Sequence, residues 1–334
     1  MTDNTIKISV AIATYNGALY IEEQVQSILS QTLMPFEIVI SDDGSTDETF
    51  SILEKLSTSS TVPIRIHRNQ NKQGVTGNFM NAMRHCGGDY IALCDQDDVW
   101  VTDKLAELAK GFNDAPTAQL MLSDAYITNA ALIKSGKTLW QELGFTPSNQ
   151  HKFLIGNQLE FMLRKNLSWG LTLCFPRQML DHDDPKHLVD LWKFDGWLGI
   201  KAAISSSIYL CPKPLTYYRQ HGKNDVGNPK LNYHPLLLIS RSFDEQSFQK
   251  QLNRCEQLLA YADTIGEGIH PGNLNALKIY ISVLKRRMAL PKSRWVRWVF
   301  ILKHFLQGDY SIMSYSLPIL SALKDVLLSK NTSE

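Results

Sequence analysis

The sequence predicts an α/β fold in which a mostly parallel sheet is covered by helices on both faces and is followed by an α-helical C-terminal region. Over the first hundred residues, apolar stretches of strand length alternate with helical patterns, as in chains built from strand–helix–strand units. Three of the apolar stretches end in a polar or acidic cluster. Beyond residue 229 the chain shows long helical stretches without a strand signal.

The first half of the predicted domain alternates strand and helix. Ile21, Val25 and Ile28 recur at helical spacing after the first strand. Ser45 with Glu48 fits a capping box, which predicts a helix start there. Short connections of this kind favour parallel strands joined by crossover helices. The strand-like stretches are residues 8–13, 36–40, 62–66 and 90–93.

The second half of the domain is predicted to be less regular. A helix is predicted over residues 194–203, and strands are predicted at residues 120–122, 171–175 and 207–210. We expect the domain to span residues 1–228, in halves of residues 1–115 and 116–228. The helical extension then covers residues 229–334.

Composition narrows the classes of function. The formal net charge of +1 gives no reason to expect nucleic-acid binding. The 5 cysteines show no metal-ligand spacing and read as buried thiols in a reducing compartment. The first residues lack the basic and apolar segments of a signal peptide, and no stretch approaches the ~20 apolar residues of a spanning helix. A cytoplasmic protein is therefore expected, with membrane contact only from the surface.

Acidic side chains follow the last apolar stretch of the first half. Asp95, Asp97 and Asp98 come directly after the strand predicted at residues 90–93. Carboxylates this close repel one another unless a cation is present, and their oxygens suit Mg²⁺ or Mn²⁺. A solvated turn would explain the same residues. Because polar clusters also end the first two strands, all three clusters are expected at one edge of the sheet, where ligands bind in open α/β folds.

Four motifs resemble those of the family 2 glycosyltransferases with the GT-A fold, a Rossmann-like architecture. They are residues 10–17 (VAIATYNG), 40–47 (ISDDGSTD), 95–100 (DQDDVW) and 218–222 (YRQHG). The motifs occur in order, and the resemblance covers about residues 6 to 228. The form of the last two is most similar to bacterial rhamnosyltransferases and related O-antigen or capsule enzymes.

The resemblance implies a site for a nucleotide diphosphate-sugar. Carboxylate oxygens suit the imide N–H of a base and ribose hydroxyls. Helix capping is the alternative for the aspartate pair of the second cluster, and an Asx-type turn is the alternative for the first cluster. The residues implied in nucleotide-sugar binding are Thr14, Tyr15, Asn16, Asp42, Asp43, Asp95 and Arg219.

The resemblance also implies a metal-dependent reaction with Mn²⁺ or Mg²⁺. Asp97 matches the family's metal-binding aspartate, and His221 matches a histidine that reaches the metal or the diphosphate. An isolated histidine is more often a plain surface or core residue. Two roles fit Asp98: it supports the metal ligands as a neighbouring acid, or it caps the turn that follows. An ion here would offset charge on the leaving diphosphate.

The resemblance implies that Asp195 is the general base of an inverting transfer. It would accept the proton of the acceptor hydroxyl. The family usually carries a second acid or a histidine beside this position, where this chain has Phe194. A first-turn acid stabilised by the helix dipole is the alternative, and Asp181, Asp183, Asp184 and Asp190 are competing acids. The implied acceptor-binding residues are Trp169, Gly170 and Trp197.

The C-terminal region carries a basic, aromatic segment. No acidic residue lies between Glu267 and Asp309, while eight lysines and arginines fall at residues 278–303 among tryptophan and phenylalanine. Peripheral contact of residues 278–305 with an anionic membrane surface would fit this pattern. A helical bundle with a solvated basic face fits it as well.

The expected function is transfer of a sugar, such as a rhamnosyl or hexosyl unit, from a dTDP- or UDP-linked donor to a glycan or lipid-linked glycan in surface polysaccharide synthesis. A sugar nucleotidyltransferase is one alternative, but the loop at residues 13–17 lacks the expected basic, glycine-rich phosphate loop. A nucleotide-sugar-binding protein without transfer activity is another.

Overall fold

The computed structural model describes residues 6–156, 158–180, 184–222, 245–265, 269–291 and 293–313, with residues 319, 322, 325 and 326. The chain divides into two compact units. The first contains the described residues up to 155 with residues 166–203 and 207–222. The second contains residues 156 and 158–165, residues 204–206 and the described residues from 245 onward. The boundary predicted at residue 228 lies outside the described residues.

Nine strands and twelve helices are labelled here in chain order. The strands are β1 (Ile8–Thr14), β2 (Glu37–Asp42), β3 (Ile64–Arg68), β4 (Tyr90–Cys94), β5 (Val99–Trp100), β6 (Leu120–Asn129), β7 (Lys134–Thr138), β8 (Leu173–Pro176) and β9 (Ile208–Gln220). The helices are α1 (Ile21–Leu29), α2 (Thr49–Ser59), α3 (Gly74–Arg84), α4 (Lys104–Asp114), α5 (Leu139–Glu142), α6 (Pro147–Leu154), α7 (Gln158–Arg164), α8 (Lys186–Ile204), α9 (Glu245–Ile265), α10 (Pro271–Met288), α11 (Arg294–Leu306) and α12 (Asp309–Met313).

The strands form one mixed sheet in the order β3-β2-β1-β4-β8-β6-β9-β5, with β7 paired to β6. Strands β1 to β4 run parallel to their neighbours within this group, which confirms the α/β class. In the second half β8 runs antiparallel to both β4 and β6, so the sheet is less uniformly parallel there. Strands β1, β2 and β4 carry residues of the core that are fully buried, namely Val10, Ile12, Ile38, Ile40 and Leu93.

The register brings the ends of three strands together. Thr14 at the end of β1 pairs with Asp42 at the end of β2, and Ile12 pairs with Cys94 at the end of β4. Because these strands are parallel, the loops that follow them leave the same edge of the sheet. The polar clusters predicted from the sequence therefore lie at one edge.

Two local predictions differ from the structure. Helix α2 begins at Thr49 with no side-chain cap, so the capping box predicted for Ser45 and Glu48 is wrong. The Ser45 hydroxyl instead donates to Asp42, and Oδ1 of Asp47 accepts the Thr49 N–H at 3.1 Å. The strand predicted at residues 207–210 is much longer, because β9 continues to Gln220.

The second unit is helical. The Tyr280 hydroxyl of α10 donates to the carbonyl of Leu163 in α7 at 3.1 Å. Arg286 forms two hydrogen bonds of 2.8 Å with Asp309, and Arg287 forms the same arrangement with Asp325. Among the residues placed in the structure, no helix is long and apolar enough to cross a bilayer.

Candidate active site

Gln96 joins the loop after β4 to the loop after β1. Its Oε1 accepts hydrogen bonds from the Thr14 hydroxyl at 2.7 Å and from the Tyr15 N–H at 2.9 Å. Its Nε2 donates to the Tyr15 carbonyl at 3.2 Å. Thr14 is buried and Tyr15 is exposed. Gln96 was not singled out from the sequence, although its place between two acids of a motif was a signal that could have found it.

Asn16 joins the same loop to the loop after β2. Its φ of 49° lies in the left-handed region that asparagine tolerates. The Asn16 N–H donates to the Ser45 hydroxyl at 2.9 Å, and Oδ1 of Asn16 accepts the Thr46 N–H at 2.9 Å. The three clusters predicted at strand ends are therefore one hydrogen-bonded assembly.

Asp42 and Asp43 are both buried, and both accept hydrogen bonds inside the chain. Oδ2 of Asp42 accepts the Ser45 N–H at 3.0 Å and lies 3.7 Å from Nε of Arg68. Asp43 accepts the N–H groups of Gln73 at 2.7 Å and Gly74 at 3.0 Å. Because Gly74 begins α3, Asp43 stabilises the start of that helix, rather than the helix directly after the pair that the capping alternative concerned.

A cavity of about 740 Å³ lies beside Asp43. Asn69 and Gln73 line it, and both also donate hydrogen bonds to Oδ1 of Asp43. Lys186 at the start of α8 and Asp184, two residues before it, also line the cavity. The cavity therefore adjoins the assembly of strand-end loops.

Asp97 and His221 are in direct contact although they are 124 residues apart. Oδ2 of Asp97 lies 2.9 Å from Nε2 of His221, and the two side chains are 16% and 13% exposed. The His221 ring stacks on Tyr20 with 4.9 Å between ring centroids. The two residues predicted as metal ligands are thus brought together at the rim of the sheet.

Arg219 is buried and holds the acidic loop from β9. Its Nε donates to the Asp97 carbonyl at 2.8 Å, and one terminal nitrogen donates to the Ala130 carbonyl at 2.8 Å. The other terminal nitrogen pairs with Glu23. The guanidinium is thus engaged within the chain, which favours a positioning role over the direct contact with the nucleotide-sugar predicted from the sequence.

Two buried ionisable side chains, Asp98 and Lys104, lie close to the acidic loop. Asp98 is buried, and its Oδ1 accepts the Arg219 N–H at 2.9 Å. Burial, with Asp95 and Asp97 nearby, raises the pKa of Asp98 well above its usual range. Lys104 is fully buried and donates to the Leu171 carbonyl and the Thr216 hydroxyl, both at 2.8 Å.

Burial lowers the pKa of Lys104 to about 8, while the neighbouring acids favour its charged form. Lys104 was missed from the sequence, where it looks like an ordinary first-turn lysine. Only the fold shows that its ammonium group lies beneath the acidic loop.

Asp195 lies where α8 changes direction. Lys193, two residues earlier, has a φ of 62° that interrupts the helix. The Asp195 carboxylate accepts the Gly196 N–H at 2.7 Å. Burial raises the pKa of Asp195 to about 6, against the opposing effects of Gly196 and Lys193. A half-buried carboxylate with a raised pKa is suited to general-base catalysis.

The three predicted acceptor-binding residues differ in accessibility. Trp169 is half-buried, donates from Nε1 to the Asn166 carbonyl at 3.2 Å and meets Tyr218 edge-on. Gly170 begins a short 3-10 turn, and a Cβ there would lie 3.4 Å from the Phe194 ring. Trp197 is 2% exposed, so the predicted stacking of its ring on an acceptor sugar does not fit the structure. Among the other candidate acids, Asp181 and Asp183 lie outside the described residues.

The side chains of Asp97 and His221 fit a metal ion that is also coordinated by the diphosphate of the donor. No group of three His, Cys, Asp or Glu side chains arranged to hold a metal occurs among the residues the structure describes. Asp97 and His221 supply one carboxylate oxygen and one imidazole nitrogen, which are acceptable ligands of Mn²⁺. Mg²⁺ and Mn²⁺ sites commonly combine one or two carboxylates with substrate phosphates, so two protein ligands suffice.

Sequence comparison identifies relatives. Residues 9–161 match the family model "Glycosyl transferase family 2". The dTDP-rhamnosyl transferase RfbG of Shigella flexneri is 27% identical over 307 residues, which is 88% of this chain and 100% of that protein. The Escherichia coli UDP-Glc:alpha-D-GlcNAc-diphosphoundecaprenol beta-1,3-glucosyltransferase WfaP is 40% identical over 99 residues, which is 30% of this chain and 38% of that protein.

Solved structures share the fold. S. aureus TarS 1-349, solved in complex with UDP-GlcNAc, superposes with a TM-score of 0.58 at 16% identity, covering 96% of this chain and 88% of that one. The mannosyltransferase PcManGT of Pyrobaculum calidifontis, solved with GDP-Man and Mn²⁺, gives a TM-score of 0.51 at 17% identity, covering 97% and 85%. The solved structures show the fold, which is GT-A, and the family match over residues 9–161 shows that this chain carries a glycosyltransferase domain of family 2.

Proposed function

We propose that this glycosyltransferase moves a sugar, with inversion, from a dTDP- or UDP-linked donor to a lipid-linked glycan acceptor in surface polysaccharide synthesis. The observation that carries the proposal is the contact of Asp97 with His221 at 2.9 Å, beside loops that Gln96 and Asn16 tie into one assembly. A rhamnosyl unit is the proposed cargo because RfbG, which matches nearly the whole chain, is named a dTDP-rhamnosyl transferase.

The nucleoside of the sugar donor is proposed to bind at the cavity beside Asp43. The lining amides of Asn69 and Asn81 hydrogen-bond to each other at 2.9 Å, and Nδ2 of Asn69 donates to Asp43 at 3.0 Å. These bonds connect the cavity wall to the loop after β2, which supports placing the nucleoside there. Thr14, Tyr15, Asn16, Asp42 and Asp95 remain proposed parts of this binding region. Asp42 and Asp43 would act there mainly by fixing the loop and the start of α3, since their carboxylates already accept hydrogen bonds.

Asp97 and His221 are the proposed metal ligands. When bound, Mn²⁺ or Mg²⁺ would offset the negative charge that develops on the departing diphosphate. Arg219 holds the Asp97 backbone and stands two residues before His221, so it keeps the two ligands in register.

Asp195 is the proposed base. Its carboxylate would accept the proton of the acceptor hydroxyl while that oxygen attacks the anomeric carbon. Burial keeps the carboxylate weakly hydrated and raises its pKa to about 6, so it is ionised yet basic at neutral pH. The half-buried Trp169 and Gly170 are proposed to lie on the acceptor side, and Trp197 is left out of this role because it is buried.

The acceptor is proposed to be carried by a lipid at the inner face of the cytoplasmic membrane. The relative WfaP is named for a diphosphoundecaprenol-linked acceptor. A nucleotide-sugar donor would meet such an acceptor at the cytoplasmic side of the membrane, which is consistent with this proposal.

A transfer assay tests the proposal. Purified protein with Mn²⁺ would be given dTDP-rhamnose, UDP-glucose and UDP-GlcNAc with a diphosphoundecaprenol-linked sugar acceptor, and product would be followed by mass spectrometry. We expect one donor to give an extended lipid-linked glycan, with Asp195→Asn reducing turnover about a hundredfold or more. Lys137→Met, which removes an exposed ion pair, is the matched control and should leave turnover unchanged.

The same assay separates the alternatives. Tight binding of a nucleotide-sugar without transfer to any tested acceptor would favour a binding protein. Formation of nucleotide-sugar from a sugar phosphate and nucleoside triphosphate, with release of pyrophosphate, would favour a nucleotidyltransferase. Either result would contradict the proposed function.

A further inference from the structure

Helix α11 in the second unit exposes a continuous apolar stripe. Four of its members recur at spacings of four, three and four residues, so they lie on one face of the helix. We call this face the outer stripe. Its residues, with their exposed fractions, are Trp295 (85%), Trp298 (50%), Val299 (71%), Leu302 (55%) and Leu306 (78%).

The opposite face of α11 is the buried one, and it is partly polar. Arg297, Ile301 and His304 are 4%, 3% and 7% exposed. Nε of Arg297 donates to the Pro291 carbonyl at 2.7 Å, and Nδ1 of His304 lies 2.9 Å from Oδ2 of Asp309. A surface helix of a water-soluble protein turns its apolar face inward. In α11 polar groups face inward and two tryptophans face outward, which indicates a second apolar partner for the helix.

The charges around the outer stripe favour an anionic partner. The sequence has no acidic residue from 268 to 308, and the side chain of Lys303, on α11 itself, is exposed. Arg286 and Arg287 pair with Asp309 and Asp325, so the outward positive charge is smaller than the sequence alone indicates. A second copy of this chain is a poor partner, because α11 carries no acidic residue that could pair with Lys303 of the other copy.

We propose that α11 binds the surface of an anionic bilayer, with the outer stripe in the headgroup region and Lys303 beside the lipid phosphates. Tryptophan side chains favour this interfacial depth, and a helix lying in the plane of the membrane needs no spanning length. This inference rests on the proposed function, in which the acceptor is carried by a membrane lipid. Binding of α11 to the membrane would bring the enzyme to that acceptor.

Vesicle sedimentation with the full chain tests the inference without measuring activity. We expect the protein to bind phosphatidylglycerol vesicles, and to bind phosphatidylcholine vesicles at least about tenfold more weakly, with binding reduced by high salt. Trp295→Ser combined with Trp298→Ser should weaken binding at least about tenfold. Val299→Ser combined with Leu302→Ser is a second, independent pair with the same expected effect.

The control pair is Ile133→Ser with Ile155→Ser, which removes two exposed apolar side chains of the first unit, 65% and 66% exposed. It should leave vesicle binding unchanged. All variants should keep transfer to a detergent-dispersed, short-chain acceptor, so loss of vesicle binding with intact transfer supports the inference.

Equal vesicle binding by the wild type and both stripe variants would overturn the inference. So would a stable dimer that the stripe substitutions dissociate, with no binding to vesicles. Vesicle binding without transfer of any sugar would contradict the proposed function and leave the membrane surface of α11 supported.

Discussion

The backbone N–H of Arg219 donates a hydrogen bond of 2.9 Å to Oδ1 of Asp98 across 121 residues of chain. This bond joins the end of β9 to the acidic loop after β4. The Arg219 side chain adds a bond of 2.8 Å to the Asp97 carbonyl. Because His221 follows two residues later, these bonds determine where its ring meets Asp97.

Arg219→Lys tests this positioning. Lysine cannot reproduce the separate bonds from the guanidinium to the Asp97 and Ala130 carbonyls. We expect the free energy of unfolding to fall by about 1 to 3 kcal/mol, measured by chemical denaturation. We expect kcat for metal-dependent transfer to fall about tenfold or more, with nucleotide binding in the absence of metal unchanged. A purely stabilising role would lower stability and leave kcat unchanged, which would contradict the positioning role.

Gln96→Glu tests the link between the loops after β1 and β4. The substitution keeps the shape but replaces the amide that donates to the Tyr15 carbonyl with a third negative charge between Asp95 and Asp97. We expect the Kd of the nucleotide-sugar to rise about tenfold, which corresponds roughly to the loss of one hydrogen bond. Calorimetric titration measures the effect. Gln26→Glu, which places the same charge at an exposed position of α1, is the matched control, and an equal loss there would argue against a specific role for Gln96.

The pH dependence of transfer tests Asp195 as the base. Burial raises the pKa of this carboxyl to about 6, and only its ionised form can accept a proton. The rate should therefore rise with pH through about 6 and level off above it. The measurement is kcat/KM for the acceptor from about pH 5 to 8 with a constant concentration of metal. Rates that are flat across this range would rule out Asp195 as the group that titrates.

Asp195→Asn should also change stability in a pH-dependent manner. The folded-state pKa of about 6 exceeds the ordinary value of 3.8, so the folded chain binds the proton more tightly than the unfolded chain. This contribution to stability is present below about pH 4 and is lost as pH rises through about 6. Asparagine avoids the loss, so the variant should be about 3 kcal/mol more stable than the wild type at about pH 8. At about pH 4 the two should be equal, and a destabilised variant at both pH values would contradict the account of burial.

The edge that carries the site could be predicted from the sequence, because its signals are local. Apolar stretches ending in TYN, DDG and DQDD place each cluster at the end of β1, β2 or β4. Because these strands run parallel, their carboxyl ends lie at the same edge of the sheet, which brings the clusters together. The partnership of Asp97 with His221 came from the resemblance to a family, and the structure places these residues in contact.

The remaining differences come from tertiary packing. Ser45 was predicted to cap a helix, but its hydroxyl and its N–H both donate hydrogen bonds to Asp42. Trp197 looked like a stacking surface, but its place on α8 buries it in the core. Lys104 and Arg219 make bonds to residues 67 and more than 80 positions away. Patterns of neighbouring residues do not indicate contacts over such separations. The burial of Lys104 and the positioning role of Arg219 could therefore not be predicted from the sequence.

The effect of Mn²⁺ on nucleotide binding tests the central claim most directly. Calorimetric titration of UDP and dTDP, with and without Mn²⁺, would be run on the wild type, Asp97→Asn and His221→Gln. We predict that Mn²⁺ tightens diphosphate binding by the wild type about tenfold or more, and that both substitutions remove most of this gain while binding without metal is preserved. Full Mn²⁺-dependent tightening in Asp97→Asn would contradict the claim that Asp97 and His221 hold the ion at the edge of the sheet.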